Sequence, residues 1–296
     1  PSPPPAPPAQ LSLADRLAEF PCHSTILTPH TEFAMRGLIE ISRGCPYKCE
    51  FCVMGYQPYR YRWRAAEEIE ETARMFRAHT NRVGLVASAV GIHREIEDIC
   101  ERLDRLDLDV SFSSLRVEDV KPRMIETLLR SGQRILTIAP EAGAEALRRR
   151  LRKDLSDARI EDFVAQCFER GMIHLKLYYM IGLPGETDEE VMAIARQTER
   201  LREIQLRACR PRGQIGRLNL NVGVFVPKPG TPLGEAEFCG AGEARRKLQA
   251  LRRALGAIPN VSLHTESPRE AETQAFLARA GREAADWIER AARREA

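Results

Sequence analysis

Short apolar segments alternate with amphipathic segments along most of the chain. The apolar segments have the length of buried strands, and the segments between them carry apolar residues at helical spacing, as at Ile69, Ala73 and Phe76. Repeated strand–helix units predict a parallel sheet with helices packed outside it. The predicted strands are residues 37–42, 82–87, 108–113, 134–138, 174–181 and 217–226.

Six such units are fewer than the eight that close a complete barrel. The pattern therefore predicts an α/β fold, either a partial, TIM-like (β/α)6 barrel or a flat doubly wound sheet. In both arrangements the carboxyl ends of the strands form the working face, so the residues directly after each strand form the candidate site. The predicted helices are residues 65–78, 94–106, 121–130, 144–150, 160–170 and 189–207.

The chain divides by composition into four parts. Residues 1–10 hold six prolines among the first nine positions and predict an extended linker, and residues 11–32 form a lead-in segment. Residues 33–232 are the predicted barrel. Residues 233–296 are an α-rich C-terminal extension with one further short strand at 261–264. Because a proline-rich linker makes best sense between two domains, we expect a further domain upstream of Pro1.

Charge and hydropathy argue against several classes of protein. The 45 basic and 42 acidic residues leave a formal net charge of +3, which gives no electrostatic reason to expect a nucleic-acid partner. Mean hydropathy is −0.36, and the sequence holds no run of 18 apolar residues that would predict a membrane-spanning helix. No secretory signal opens the sequence, so we expect a cytoplasmic protein without a membrane partner.

Three of the eight cysteines lie within eight positions, directly after the first predicted strand. Cys45, Cys49 and Cys52 have C-x3-C-x2-C spacing. A four-iron cluster has four corners, so three thiolates leave one iron for a chelating small molecule. A closed zinc site would need a fourth protein ligand. The local candidates for that ligand are Cys22, His23 and His30, none at a zinc-finger spacing.

This cysteine motif, with Phe51 directly before the last cysteine, resembles the signature of the radical S-adenosylmethionine (radical SAM) superfamily. The resemblance extends over residues 33–230 and implies a partial (β/α)6 barrel with a [4Fe-4S] cluster on Cys45, Cys49 and Cys52. It implies that the fourth iron chelates S-adenosylmethionine, and that one-electron reduction yields a 5′-deoxyadenosyl radical. That radical would abstract hydrogen from an unknown small-molecule or peptide substrate. Such an enzyme needs an electron donor such as flavodoxin or ferredoxin.

The resemblance also implies contacts to S-adenosylmethionine at the ends of later strands. After the second strand, the small residues Ala87, Ser88 and Ala89 would approach the methionine amine through their backbone. The acidic residue that the superfamily usually has there is missing, and a strand end that needs small residues is the alternative reading. After the third strand, Ser113 and Arg116 offer a hydroxyl and a guanidinium that can bind a carboxylate.

After the fourth strand, Glu141 resembles the residue that binds the ribose hydroxyls, and Lys153 resembles the basic residue that follows it. The structural alternatives are a carboxylate favoured by a helix start for Glu141 and a solvated helix face for Lys153. After the fifth strand, residues 182–187 resemble the G-L-P-G-E-T turn of a large branch of the superfamily. Tyr178, four residues before that turn, points either into the pocket or to the back of the sheet.

Residues 21–33 look like the lead-in to the catalytic half of proteins in which a cobalamin-binding domain precedes the radical domain. The chain holds no D-x-H-x-x-G segment of the cobalt-ligating type, so cobalamin is an expectation about a neighbouring domain. Two alternatives to hydrogen abstraction follow. One is cobalamin-assisted methyl transfer, and the other is a zinc- or cluster-binding module that has lost catalysis, which the missing acidic residue near Ala87 favours.

Overall fold

The structure, a computed structural model, describes residues 17–58, 60–113 and 115–295. The predicted linker at residues 1–10 and the start of the lead-in segment lie outside the described residues. The strands are β1 Gly37–Glu40, β2 Ser42–Arg43, β3 Arg62–Trp63, β4 Arg82–Val86, β5 Asp109–Phe112, β6 Ile135–Glu141, β7 His174–Ile181, β8 Leu218–Val224 and β9 Val261–Thr265. The helices are α1 Ala66–Arg77, α2 Ile96–Arg105, α3 Pro122–Arg130, α4 Glu145–Arg150, α5 Asp157–Arg170, α6 Asp188–Cys209, α7 Ala241–Leu255, α8 Pro268–Arg279 and α9 Ala284–Glu295.

Two parallel sheets follow each other along the chain. The first has the strand order β1-β4-β5, and the second has the order β6-β7-β8-β9. Every neighbouring pair in both sheets is parallel, which confirms the predicted strand–helix repeat. The strand predicted at 261–264 is β9, which pairs with β8 and extends the second sheet by one strand. A helix of the α-rich extension, α7, packs against α6 and β9.

The core lies between the sheets and the helices outside them. In β7, Leu175, Leu177 and Tyr179 are buried against the helices, and the residues between them face the opposite side. That opposite face stays open, because Lys176 is half-buried and Tyr178 is exposed. This period of two follows from the pleat of a strand, and it gives the second sheet one apolar face and one polar interior face.

Two short strands and one helix were not predicted from the sequence. β2 and β3 pair antiparallel directly after β1, with Ser42 opposite Trp63. The C-terminal extension was predicted to be α-rich, but no bounds were predicted for helix α7. Within the described residues, no helix is both long enough and apolar enough to cross a membrane.

Candidate functional site

The three clustered cysteines lie on the loop that follows β2. The pairing of Ser42 with Trp63 closes the base of this loop. Gly44 begins the loop with a φ of +89°, a conformation that favours glycine. Between the later cysteines, the Cys52 N–H donates to the Cys49 carbonyl at 3.1 Å. The loop therefore turns tightly just beyond the carboxyl end of β1, where the sequence predicts the working face.

Glu50, between the second and third cysteines, anchors this loop to two other parts of the fold. Its N–H donates to the Leu151 carbonyl at 3.0 Å, and its own carbonyl accepts from the Leu233 N–H at 3.2 Å. Its carboxylate lies 2.6 Å from the Arg152 guanidinium. These contacts fix the cysteine loop to the end of α4 and to the segment after β8, so both sheets position it.

A cavity of about 240 Å³ lies against the cysteine loop, and we call it the cluster cavity. All three cysteines of the motif line it. Five of the nine residues that the resemblance assigns to the cofactor line it too, namely Phe51, Ser88, Arg116, Glu141 and Lys153. The sequence analysis did not single out its other lining residues, which are Tyr47, Met54, Leu115 and Ala139.

Lys153 and Glu141 form an ion pair in the wall of the cluster cavity. The Lys153 Nζ lies 2.9 Å from Glu141 Oε1 and also donates to the Ala139 carbonyl. Lys153 is only 4% exposed, so the alternative of a solvated helix face is wrong. Glu141 does not cap α4, whose N-cap is Ala144 without a side-chain hydrogen bond. The pair therefore faces the cavity with its charges compensated.

The backbone at Glu141 is unusual. Its φ is +73°, in the left-handed region that non-glycine residues rarely adopt, and the register between β6 and β7 shifts between Ile138 and Glu141. Strain of this kind costs about 1–3 kcal/mol and persists where the surroundings enforce it, often at functional sites. The strained residue at the end of β6 is therefore the acidic member of the ion pair, Glu141.

Arg116 contacts the cysteine loop on the side that faces β5. Its guanidinium lies 3.6 Å from Cys49 Sγ and 2.8 Å from the Glu118 carboxylate, and it stacks on the Tyr47 ring at 3.7 Å. Tyr47 in turn donates a hydrogen bond to Asp119. Burial lowers the pKa of Arg116, but Glu118 and Cys49 outweigh this and the net pKa is raised. A permanent positive charge therefore lies beside a cysteine sulfur.

Four predicted cofactor residues lie outside the lining of the cluster cavity. The Ser113 hydroxyl accepts from the Ala87 N–H and donates to the Ala87 carbonyl, both at 3.1 Å, which ties the ends of β4 and β5 together. Ala89 is buried. Tyr178 lines two neighbouring cavities on the interior face, whereas Tyr179 faces the back of the sheet and donates to Gln197 at 2.7 Å. Tyr178 thus points to the interior rather than the back.

The remaining cysteines are separated from the cluster cavity. Cys100 and Cys167 are buried in the core, where burial raises the pKa of each thiol to about 12. Cys209 is also buried, beside the Met172 carbonyl. The described residues contain no three His, Cys, Asp or Glu side chains that converge on a single metal ion. A four-iron cluster makes no such demand, because each cysteine binds a different iron.

The residues of the cluster cavity fit an iron–sulfur cluster with an attached ligand. Three thiols on one tight loop supply the donor set, and burial raises the pKa of Cys45, so the metal must displace its proton. The adjoining wall offers hydrogen-bonding groups for a polar ligand at the Glu141–Lys153 pair.

A scan of family models matches residues 39–198 to the radical SAM superfamily. This match covers more than half of the chain and includes the cysteine loop, β6 and the ion pair. The chain belongs to the radical SAM superfamily. The reductive cleavage of S-adenosylmethionine on a [4Fe-4S] cluster is the chemistry of this family.

Two curated relatives are similar to this radical SAM chain in sequence. An uncharacterized protein of Methanocaldococcus jannaschii is 31% identical over 222 residues, which cover 74% of this chain and 46% of that protein. The ribosomal protein uS12 methylthiotransferase RimO of Cutibacterium acnes is 28% identical over 181 residues, which cover 55% of this chain and 37% of RimO. The chain thus spans less than half the length of these relatives.

Two solved structures share the radical SAM fold with this chain. SuiB of Streptococcus suis bound to S-adenosylmethionine superposes with a TM-score of 0.54 at 15% identity, over 77% of this chain and 49% of SuiB. The radical S-adenosylmethionine methyltransferase TsrM of Kitasatospora setae, with cobalamin and a [4Fe-4S] cluster bound, superposes with a TM-score of 0.52 at 18% identity, over 67% of this chain and 38% of TsrM. At these identities the likeness confirms the fold.

Proposed function

We propose that this radical SAM enzyme binds its [4Fe-4S] cluster through Cys45, Cys49 and Cys52 and abstracts hydrogen from a small-molecule or peptide substrate in the barrel interior. The observation that carries the proposal is the shared lining of one cavity by the three cysteines and the Glu141–Lys153 pair. When bound, the cluster supplies one electron to S-adenosylmethionine, whose cleavage yields the 5′-deoxyadenosyl radical.

The ion pair orients the nucleoside part of S-adenosylmethionine in this proposal. Glu141 accepts hydrogen bonds from the ribose hydroxyls, and the ion pair with Lys153 holds the carboxylate in position. Lys153 is itself held by the Ala139 carbonyl, so the carboxylate meets a rigid partner. Ser88 and Phe51 complete the wall beside the cysteine loop.

Arg116 holds the cysteine loop in place in the same proposal. Its stacking on Tyr47 and its hydrogen bond to Cys49 fix the side of the loop that faces β5. Its positive charge also offsets part of the negative charge that thiolate ligands bring to the cavity. We therefore assign Arg116 as a positioning residue rather than a group that contacts the reacting atoms.

Substrate would lie on the interior face, next to the cluster cavity. Glu141 lines both the cluster cavity and a cavity of about 360 Å³ that also involves Tyr178, Asn221 and His264, which we call the His264 cavity. The shared residue Glu141 places this cavity beside the cluster cavity, as transfer of hydrogen to the radical requires. Flavodoxin or ferredoxin is the proposed class of electron donor.

The first test is anaerobic. The chain is reconstituted with iron and sulfide, reduced with dithionite, and supplied with S-adenosylmethionine, and 5′-deoxyadenosine is measured by mass spectrometry. We expect four irons per chain and 5′-deoxyadenosine that depends on the reductant. A chain that carries the full cluster and binds S-adenosylmethionine but never yields 5′-deoxyadenosine would contradict the proposal.

Cobalamin-assisted methyl transfer is the alternative within the same superfamily. It rests on the lead-in at residues 21–33 and on the fold likeness to TsrM, which at 18% identity carries no functional argument. Visible absorption of methylcobalamin titrated into the same reconstituted chain tests whether the chain itself binds cobalamin. We expect no binding. Only saturable binding distinguishes the two proposals, in favour of methyl transfer, because the alternative places cobalamin on a neighbouring domain.

A further inference from the structure

Lys176 stands out on the interior face of the second sheet because its charge has no acidic partner. It lies on β7, half-buried, and its Nζ sits over the Tyr178 ring at 5.1 Å from the centroid. Among the described residues, no carboxylate lies within ion-pair distance of Lys176, whereas the cavity lysine Lys153 and the buried Lys247 both have one. A cation on a half-buried face without a counter-ion favours an anionic ligand.

The cavity around this side chain has the composition of an anion site. Its volume is about 310 Å³, and we call it the Lys176 cavity. Polar and apolar side chains line it in equal number, and no Asp or Glu is among the described residues that do so. The polar lining groups are Ser111, Ser113, Gln133, Thr137, Lys176 and Tyr178. Donors of this kind around one lysine suit a carboxylate or a phosphate.

A second positive charge reaches the floor of the Lys176 cavity. The Arg36 guanidinium donates to Ser111 Oγ at 3.0 Å and to the Val83 carbonyl at 2.9 Å. The acidic residue near this guanidinium is Asp109, whose carboxylate accepts a hydrogen bond from Asn81 at 3.1 Å and does not line the cavity. Arg36 thus fixes Ser111 and adds to the positive potential of the floor.

The Lys176 cavity shares lining residues with the cavities of the proposed site of hydrogen abstraction. Ala139 lines both the Lys176 cavity and the cluster cavity, and Tyr178 lines both the Lys176 cavity and the His264 cavity. Lys176 and Tyr178 are two residues apart on one face of β7, so they lie about 7 Å apart along the strand. A molecule bound at Lys176 therefore extends toward the cluster cavity.

We propose that Lys176 binds an acidic group of the substrate, a carboxylate or a phosphate, and so orients the substrate beneath the cluster cavity. This inference rests on the proposed function and narrows its substrate to an anionic small molecule or an acidic peptide. The Lys176 Nζ lies over the Tyr178 ring, and this cation–π contact favours one position of the lysine side chain.

The test is a competitive acetylation of the reconstituted full chain. N-hydroxysuccinimide acetate labels accessible lysines, and peptide mass spectrometry follows the rate at each one. Labelling is done with sodium chloride, with inorganic phosphate or with glutarate at matched ionic strength. We expect phosphate or glutarate to slow acetylation of Lys176 at least about fivefold, as a charge-assisted hydrogen bond would. The exposed Lys228 is the internal control and should not change.

The two anions distinguish the source of the acidic group. Protection by glutarate indicates a carboxylate, and protection by phosphate alone indicates a phosphoryl group. An equal rate at Lys176 in all three salts would overturn the inference. 5′-Deoxyadenosine is measured on the same preparation. If neither anion protects Lys176 from acetylation but S-adenosylmethionine is still cleaved, only this inference is rejected. Protection without any cleavage rejects only the proposed function.

Binding to variants provides a second measurement that does not depend on lysine reactivity. Saturation-transfer NMR of glutarate compares the wild type with Lys176→Gln, Lys176→Arg and Lys228→Gln. We expect Lys176→Gln to lose the signal, Lys176→Arg to keep most of it, and Lys228→Gln to match the wild type. A measurable signal of equal size from all four proteins would overturn the inference. If Lys176→Gln does not fold, the labelling of the wild type and the Lys176→Arg variant decide the question.

Discussion

At the scale of single residues, the three cysteines of the loop have different surroundings. Cys49 is buried and has the Arg116 guanidinium beside its sulfur, whereas Cys45 and Cys52 are half-buried. A buried thiolate with a cationic neighbour forms the best protected bond to iron, because solvent cannot reach it. Cys49 therefore provides the sharpest test of the cluster.

Replacement of Cys49 by alanine should abolish stable iron loading, because two thiolates cannot hold a four-iron cluster securely. Iron and sulfide are measured chemically after anaerobic reconstitution, and we expect only a fragile residue of the wild-type content. Cys239→Ala is the control, since Cys239 is a free cysteine that lies beside Gly182, away from the cluster cavity. Full iron and sulfide in Cys49→Ala would reject the ligand assignment.

Glu141 separates binding of S-adenosylmethionine from binding of the cluster. Glu141→Ala should weaken affinity about tenfold or more, because a charge-assisted hydrogen bond contributes about 1.5–3 kcal/mol. Cluster content should stay at the wild-type level. Titration calorimetry under anaerobic conditions measures the affinity for S-adenosylmethionine. Glu141→Gln keeps one acceptor oxygen, so its affinity should lie between those of the wild type and Glu141→Ala. Unchanged affinity in both variants would remove Glu141 from the site.

The residue scale also shows where sequence reasoning ends. The cysteine spacing is enough to predict cluster binding, because three thiols at short intervals have few other uses, and that role stays a prediction. For Lys153 the sequence left two roles open, a cofactor contact and a solvated helix face, because it ends an arginine-rich run. In the fold, Arg148 of that run is fully buried, and its guanidinium donates hydrogen bonds to the carbonyls of Ala142, Gly143 and Leu155. The buried arginine turns the end of the run, and with it Lys153, toward the interior. Such burial depends on tertiary contacts that no local pattern records.

At the scale of elements, the cysteine loop depends on one close backbone approach. A Cβ on Gly55 would lie 2.0 Å from the Tyr47 carbonyl oxygen, which is part of the same loop. The short helical turn Val53–Gly55 therefore packs directly on the first half of the loop. Backbone contacts this close leave room only for glycine, so the loop geometry has a requirement beyond its cysteines.

Gly55→Ala should distort the cysteine loop, lower the iron content and destabilise the fold by about 1–3 kcal/mol, as overpacking does. The matched control is Gly242→Ala on helix α7, where an added Cβ meets nothing within 4 Å. That control should leave iron unchanged and raise stability slightly, because alanine favours a helix. Thermal unfolding and iron analysis of both variants give the comparison. Equal iron contents and equal unfolding temperatures of Gly55→Ala and Gly242→Ala would show that the cysteine loop accommodates the added Cβ.

The elements differ in how far the sequence could predict them. Strands such as β7 and helices such as α6 were predicted almost to their ends, because their apolar periods are long and regular. The two-residue strands β2 and β3 were missed, since two residues show no period. Helix α7 did carry a readable signal, a buried stripe at Ala244, Leu248, Leu251 and Leu255.

At the scale of the whole molecule, a buried ion pair joins the extension to the turn at residues 182–187, directly after β7. Lys247 of α7 lies 2.9 Å from Glu186, and both side chains are nearly inaccessible to solvent. Glu186 also accepts a hydrogen bond from the Gly182 N–H at 2.7 Å. The G-L-P-G-E-T turn is thus bound to a residue far along the chain.

Removal of Lys247 should reveal how strongly this pair holds the extension. Lys247→Met leaves the Glu186 carboxylate buried without its partner, which should cost about 3–5 kcal/mol of unfolding free energy. Arg246→Met is the matched control, because the neighbouring Arg246 pairs with Asp188 on the exposed surface and should matter little. Thermal unfolding at neutral pH, with matched iron content, measures both. A similar loss in the two variants would contradict a special role for the buried pair.

The pH dependence of that loss identifies its cause. In the wild type, burial raises the pKa of Glu186, and Lys247 and the Gly182 N–H partly oppose this rise. In Lys247→Met the opposing charge is gone, so the pKa of Glu186 in the folded state lies still further above its unfolded value. A group with a raised folded pKa gives its full stability below the unfolded pKa and loses it as the pH rises through the folded pKa. The difference in unfolding temperature between the wild type and Lys247→Met should therefore be small in mild acid and grow toward neutral pH. A difference that stays constant over this range would show that lost packing around the lysine side chain, rather than the charge of Glu186, destabilises the variant.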